Sequence, residues 1–174
     1  MANRIQKTFQ ALRKKREKAL IPFLTAGDPT FPASLNQFAA LDRGGADVIE
    51  IGVPFSDPMA DGPVIQKASE RALAGGANMK KVLALVAAAR RTTQTPILLM
   101  GYFNPILSYG PEAFARDAAK AGADAVIVVD LPPEESAGLD RALKKNKLDL
   151  IYLLTPTSDA ERIRIVCKRA RGFV

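Results

Sequence analysis

Glu50 stands in the middle of an apolar run, Val48-Ile49-Glu50-Ile51-Gly52-Val53, that reads as a buried strand. Side chains alternate along a strand, so Val48, Glu50 and Gly52 share one face and Ile49, Ile51 and Val53 the other. A carboxylate taken out of water without a partner is costly, so it needs either a counter-ion or a task. No lysine or arginine falls within any strand candidate of this chain, which argues against a buried ion pair. The same absence argues against Schiff-base chemistry, which needs a lysine in the pocket. Asp61 lies in the loop that follows, where α/β proteins collect their ligand-binding groups. Two carboxylates near one strand end point to acid/base chemistry. For Asp61 the competing reading is helix capping, because Gly62 and Pro63 open the next helix.

Other chemistries are excluded by what the chain lacks. It contains no histidine, which removes His-based triads and His-rich zinc sites, so no metal centre is expected. Its one cysteine, Cys167, lies in the helical pattern Ile163-Val166-Cys167-Ala170 and reads as a buried, inert thiol in a reducing, cytoplasmic setting.

Short β-rich runs alternate with amphipathic helical segments along the whole chain. The strand candidates are Leu20–Leu24, Asp47–Val53, Pro96–Gly101, Ala125–Asp130 and Asp149–Leu154, with Gly172-Phe173-Val174 beginning a sixth. Helical patterns fall at about 31–43, 63–74, 78–91, 111–121, 134–146 and 158–170, the last opened by the capping-box sequence Ser158-Asp159-Ala160-Glu161. Ile5, Phe9 and Leu12 add a leading amphipathic helix that would cap the domain. Apolar strands each followed by a helix indicate a parallel sheet covered on both sides. A weak echo, Gly44-Gly45-Ala46-Asp47 against Ala121-Gly122-Ala123-Asp124, suggests a repeated unit. No Gly-x-Gly-x-x-Gly follows the first strand, so a (β/α) barrel fits better than a dinucleotide-binding fold. With 174 residues, one domain is expected, yet a closed eightfold barrel needs about 200–250 residues, so 1–174 reads as a partial barrel.

The net charge of +7 is unevenly spread. Residues 1–20 carry seven basic and one acidic side chain, and 141–174 carry nine and three, whereas 21–140 carry nine against fourteen. The positive charge therefore belongs to terminal helices, and no basic stretch is interleaved with aromatics as single-strand nucleic-acid binders require. No apolar run is long enough to span a membrane and no secretory leader is discernible.

The run Glu50-Ile51-Gly52-Val53-Pro54-Phe55-Ser56-Asp57-Pro58-Met59-Ala60-Asp61-Gly62 resembles the signature of the tryptophan synthase α subunit family. The resemblance extends to Pro22-Phe23-Leu24-Thr25-Ala26-Gly27-Asp28-Pro29, Leu99-Met100-Gly101-Tyr102-Phe103-Asn104-Pro105-Ile106 and Asp130-Leu131-Pro132-Pro133-Glu134-Glu135-Ser136. It implies a TIM barrel, here about five and a half βα units plus an N-terminal helix, that cleaves indole-3-glycerol phosphate to indole and glyceraldehyde 3-phosphate without a cofactor. It implies Glu50 as the general acid/base and Asp61 as the acceptor of the indole N–H. Phe23, Leu99, Tyr102 and Leu153 would line the indole pocket. Pro54, Asp57, Pro58, Asn104 and Pro105 would meet a β subunit, which carries pyridoxal phosphate and receives indole through a tunnel in an α2β2 assembly. The family's phosphate-binding loops and its mobile loop after the sixth strand fall outside residues 1–174. The rival reading is therefore an inactive fragment that docks on a β subunit or on its own missing half. A weaker rival is a polyanion-binding protein.

Overall fold

The computed structural model describes residues 3–174. Five parallel strands form one sheet: β1 (Phe23–Thr25), β2 (Ile49–Gly52), β3 (Ile97–Gly101), β4 (Ala125–Val128) and β5 (Asp149–Ile151). They pair in chain order, β1-β2-β3-β4-β5, with no reversal of direction around the sheet. A doubly wound sheet must reverse at a switch point, so this order selects the barrel. Among the described residues β1 and β5 are edge strands with a single neighbour each.

Helices α1 (Arg4–Lys15), α2 (Phe31–Arg43), α3 (Pro63–Ala74), α4 (Met79–Arg90), α5 (Phe103–Tyr109), α6 (Pro111–Ala121), α7 (Ala137–Lys145) and α8 (Ala160–Arg169) complete the chain. Their starts follow local chemistry. Thr30, Asn78 and Asp159 each accept a hydrogen bond from a backbone N–H of the first turn. Pro63 and Pro111, which lack an amide hydrogen that would go unpaired there, open α3 and α6. The expected capping box shifts by one residue: Asp159 is the cap, and Ser158 Oγ instead accepts from the N–H of Thr155.

Register divides every strand between two cores. Phe23, Glu50, Leu98, Ala125 and Asp149 lie in one row across the sheet, and Leu24, Ile51, Leu99, Val126 and Leu150 in the next. The second row, with Ile49, Ile97 and Val128, packs under the helices against Phe38, Val82, Val86, Phe114 and Leu143. The first row belongs to the inner face, where Val48, Leu98, Ala125, Ile127 and Ile151 close around Ile5 of α1. Helix α1 thus plugs the N-terminal end of the sheet, as its amphipathic pattern predicts. Arg4 bonds Asp124 at 3.0 Å, and Asn3 donates to Asp149.

The echoed Asp47 and Asp124 have a common job. Asp47 accepts from the N–H of Leu20 at 2.8 Å and Asp124 from that of Ile97 at 2.9 Å, so each satisfies the amide entering the preceding strand. Gly122 precedes the second of these with a φ of +96°, and a Cβ there would stand 2.6 Å from Arg90 Cγ. Only glycine serves both demands.

Three expectations are corrected. Gly172-Phe173-Val174 is not a sixth strand; the Phe173 ring packs 5.2 Å from that of Phe9, and the segment makes no ladder with β5. Helix α5 is absent from the sequence reading, because Asn104-Pro105 reads as turn chemistry although Pro105 falls in the first turn, where proline is tolerated. Cys167 is exposed: α8 buries only Val166 fully, and Ile163 is exposed as well.

Candidate active site

Glu50 sits on the inner face of β2, half-buried, with its backbone N–H bonded to the Pro22 carbonyl at 2.9 Å. Among the described residues no donor or cation reaches its carboxylate. Burial is accordingly the one cause that lifts its pKa above the ordinary carboxylate value. An acid so placed keeps its proton to higher pH than a surface glutamate, which suits a group that must both give and take a proton.

Asp61 comes from the loop after β2. Gly62, not Asp61, occupies the N-cap of α3, so the capping role is taken by another residue. The Asp61 carboxylate turns instead to Tyr102, whose hydroxyl donates to Oδ2 at 3.2 Å. The same hydroxyl accepts from the N–H of Ala60 at 2.9 Å. Burial pushes the Tyr102 pKa up and the Asp61 charge adds to it, so the phenol keeps the proton it donates. One Asp61 oxygen is thereby held, and the other remains available to accept from a guest. The Phe55 ring lies 5.3 Å from that of Tyr102 and packs the loop onto it.

Phe23, Gly52, Asp61, Met100 and Tyr102 line a cavity of about 20 Å³ at the C-terminal end of the sheet. Glu50 lies two residues deeper than Gly52 on the same face, about 6.6 Å along the strand. The Phe23 ring rests on Gly52 so closely that a Cβ at position 52 would stand 2.4 Å from its Cζ. Glycine at 52 is what makes room for an aromatic ring beside the acid.

Phe23, Asp61 and Tyr102 line this one cavity, and Glu50, outside its lining, is the register partner of Phe23. Leu99 lies elsewhere: it is 1% exposed in the helix-side core and faces away from Glu50. Met100 takes the pocket position instead. A strand apolar on both faces carries no sign of which parity points inward, and only the pairing of Gly52 with Met100 reveals it. Leu153 lies beyond β5, half exposed and outside this cavity. Of the expected partner-facing residues, Asp57, Pro58 and Asn104 share one concave surface with Tyr102 and Asp130. Pro54 and Pro105 line a separate groove with Met79 and Tyr109, and Pro54 is buried within its own chain, so it offers a partner less surface than expected. Asp130, which the sequence does not single out as a site residue, accepts from the N–H of Phe103 at 2.8 Å. No metal-binding cluster of acids and cysteine occurs among the described residues.

Comparison with known proteins finds relatives along almost the whole chain. The family described as "Tryptophan synthase alpha chain" matches residues 9–174. The tryptophan synthase alpha chain of Geobacter sp. (strain M21) is 55% identical over 172 residues, covering 99% of this chain and 64% of that relative. That of Burkholderia ambifaria (strain MC40-6) is 56% identical over 173 residues, with 99% and 64% covered. The crystal structure of tryptophan synthase subunit alpha from Legionella pneumophila str. Paris superposes with a TM-score of 0.96 at 48% identity, covering 100% of this chain and 68% of that one. A structure of tryptophan synthase from M. tuberculosis, in its aminoacrylate- and BRD0059-bound form, gives a TM-score of 0.95 at 41% identity, with 100% and 70% covered. The chain spans about 64% of the length of the curated relatives it matches. With the strand order of a barrel, an unpaired acid on its inner face and these likenesses along almost all of its length, the chain belongs to the tryptophan synthase alpha chain family.

Proposed function

We propose that residues 1–174 form a single, partial TIM-barrel domain and supply the acid/base half of a lyase site that cleaves indole-3-glycerol phosphate to indole and glyceraldehyde 3-phosphate in tryptophan biosynthesis. The observation that carries this reading is Glu50: a half-buried carboxylate, unpaired among the described residues, its pKa raised by burial, beside the Phe23 ring for which only glycine at 52 leaves room.

The chemistry balances on these residues alone. Glu50 gives a proton to the ring carbon that bears the glycerol chain, which places positive charge on the ring nitrogen. Asp61, oriented by Tyr102, accepts the ring N–H and stabilises that charge. The glycerol hydroxyl next to the ring then loses its proton to the Glu50 carboxylate. Its oxygen forms the aldehyde carbonyl, the carbon–carbon bond breaks, and the electron pair returns to the ring. Glu50 ends protonated, ready for the next turnover. Phe23 and Met100 supply apolar walls for the ring. No step needs a metal or an organic cofactor; pyridoxal phosphate belongs to the partner β subunit in this reading.

The partner surface we assign is the concavity bearing Asp57, Pro58 and Asn104, with Pro54 and Pro105 beside it. A cytoplasmic setting goes with this reading, and no single helix among the described residues is long and apolar enough to cross a membrane. The test is indole release from indole-3-glycerol phosphate by the intact protein, with and without β subunit. Turnover that disappears in Glu50→Gln supports the assignment. A Glu50→Gln protein with unchanged turnover refutes it.

A further inference from the structure

The loops that follow β2, β3 and β4 are tied to one another in sequence. The first tie runs from the β2 loop to the residue after β3, where the Ala60 N–H donates to the Tyr102 hydroxyl and that hydroxyl donates to Asp61. The second runs from the start of α5 to the β4 loop, where the Phe103 N–H donates to Asp130 Oδ1 at 2.8 Å. Tyr102 is the residue between the two ties. It is the N-cap of α5, yet its side chain makes no capping bond, because its hydroxyl is engaged by the neighbouring loop. A carboxylate from the loop after β4 takes over that duty.

Tyr102 is thus held at both ends. Its ring is 4% exposed and packs on Phe55, while the amide next to it in the chain is pinned by Asp130. The height of the hydroxyl above the sheet depends on where α5 begins, and Asp130 sets where α5 begins. We propose that Asp130 is a positioning residue for Asp61: it anchors the first amide of α5, so that the Tyr102 hydroxyl meets the carboxylate that receives the ring N–H. The inference rests on the role proposed above for Asp61. It requires an acceptor oxygen at 130 rather than a negative charge, and that distinguishes positioning from a direct electrostatic part in the reaction.

Amide hydrogen exchange and steady-state turnover of the intact protein, both without β subunit, test it. Asp130 also borders the surface assigned to the partner, so omitting the β subunit removes docking as a cause of any loss. In Asp130→Ala, exchange at Phe103 and at Ala60 should both quicken by about threefold to tenfold, the loss of one net hydrogen bond at each tie. The kcat should fall about tenfold with KM moving less than about twofold, since Asp61 acts on charge that develops during reaction. Asp130→Asn, which keeps an acceptor oxygen, should restore both readouts. Tyr102→Phe should quicken exchange at Ala60 and leave Phe103 protected, and adding Asp130→Ala to it should lower kcat no further. If Asp130→Ala does not fold, Asp130→Glu, which lengthens the arm by one methylene, should lower kcat severalfold while retaining the charge. Quickened exchange at Phe103 with Ala60 and kcat at wild-type values overturns the proposal. If instead Asp61→Asn keeps full turnover, the reading of Asp61 fails, while the coupled exchange still reports on the ties themselves.

Discussion

Replacing Gly52 by alanine tests the geometry of the pocket most directly. The new methyl would stand 2.4 Å from Phe23 Cζ and 2.7 Å from Cε2, whereas carbon pairs rest at about 3.5–4.0 Å. The ring must therefore retreat by about 1 Å or more. The nearest backbone atom, Leu24 O at 3.4 Å, can stay where it is. Phe23 is a half-buried residue at the start of β1 and the clash is with ring atoms rather than backbone, so its ring can turn, and the stability cost should sit at the low end of overpacking, about 1 kcal/mol. Activity should suffer more. The ring lines the cavity it shares with Met100, Tyr102 and Asp61, where the proposed site would receive a guest, so a displaced ring disturbs that site. A shift of about 1 Å in a reacting pair can cost about 100-fold, so kcat/KM for indole release should fall about 30- to 100-fold with a Tm change of a few degrees. The second half of the test is Phe23→Ala. Alone it should cost a few-fold through lost contact with the ring. In the double variant the methyl meets no ring, so Gly52→Ala should add almost nothing to Phe23→Ala, a coupling of about 2 kcal/mol. A double variant whose loss equals the product of the two single losses would refute the reasoning.

Three further outcomes are expected. Glu50→Gln should lower kcat by about 10²- to 10⁴-fold, and it should be more stable than wild type at neutral pH. Because burial raises the folded pKa of Glu50, the ionised form is the costly one: the stability gap should be absent below the unfolded pKa, open as pH rises towards the folded value, and stay constant above it, at about 1.4 kcal/mol for each pH unit separating the folded and unfolded pKa; a gap independent of pH in urea titrations contradicts this. Leu99→Ala should cost about 2–5 kcal/mol in stability with kcat/KM per folded molecule retained, and Met100→Ala should do the reverse; the opposite pattern would mean the face assignment is wrong. Asp124→Ala should destabilise by about 3–5 kcal/mol, because Arg90, whose guanidinium is 12% exposed and whose pKa burial already lowers, would lose its carboxylate partner at 2.7 Å; a loss below about 1 kcal/mol in chemical denaturation would rule out that account.

Glu50 is legible in the sequence because a charge inside an apolar strand is a local contradiction, visible without any knowledge of neighbours. Helices 31–43, 63–74 and 111–121 emerge with unchanged limits for a similar reason: Thr30, Gly44, Gly75, Pro111 and Gly122 are punctuation that acts within a few residues. Strand limits read from sequence differ more, Leu20–Leu24 against Phe23–Thr25 and Asp149–Leu154 against Asp149–Ile151, since a strand ends where its partner does. What sequence does not carry is long-range. The inward parity of β3 depends on its register with β2, so Leu99 and Met100 are indistinguishable until Gly52 is found opposite Met100. The ties through Tyr102 and Asp130 join residues 27 and 42 positions apart, and no periodicity announces them.

Three carboxylates at the N-terminal end of the sheet and three at its C-terminal end meet opposite fates, and the contrast explains how one scaffold serves two purposes. At the N-terminal end Asp47, Asp124 and Asp149 are all committed: Asp47 to the Leu20 amide, Asp124 to Arg4, Arg90 and the Ile97 amide, Asp149 to Asn3 and Arg171. Each side of those ion pairs would be costly without the other, so they lock α1 and Arg171, just beyond α8, onto the strands. At the other end Glu50, Asp61 and Asp130 form no ion pair among the described residues, and their bonds, where they have them, come from a phenol or an amide. A cation beside Glu50 would hold its charge and lower its pKa, which is the state a proton shuttle must avoid. Arginines at that end, Arg71 and Arg162, pair with Asp28 and Glu134 rather than with these three acids, so stability and chemistry can be altered separately. Substitutions in the lower network should lower Tm with kcat unchanged, and those in the upper trio should lower kcat without a matching loss of Tm, Glu50→Gln raising it.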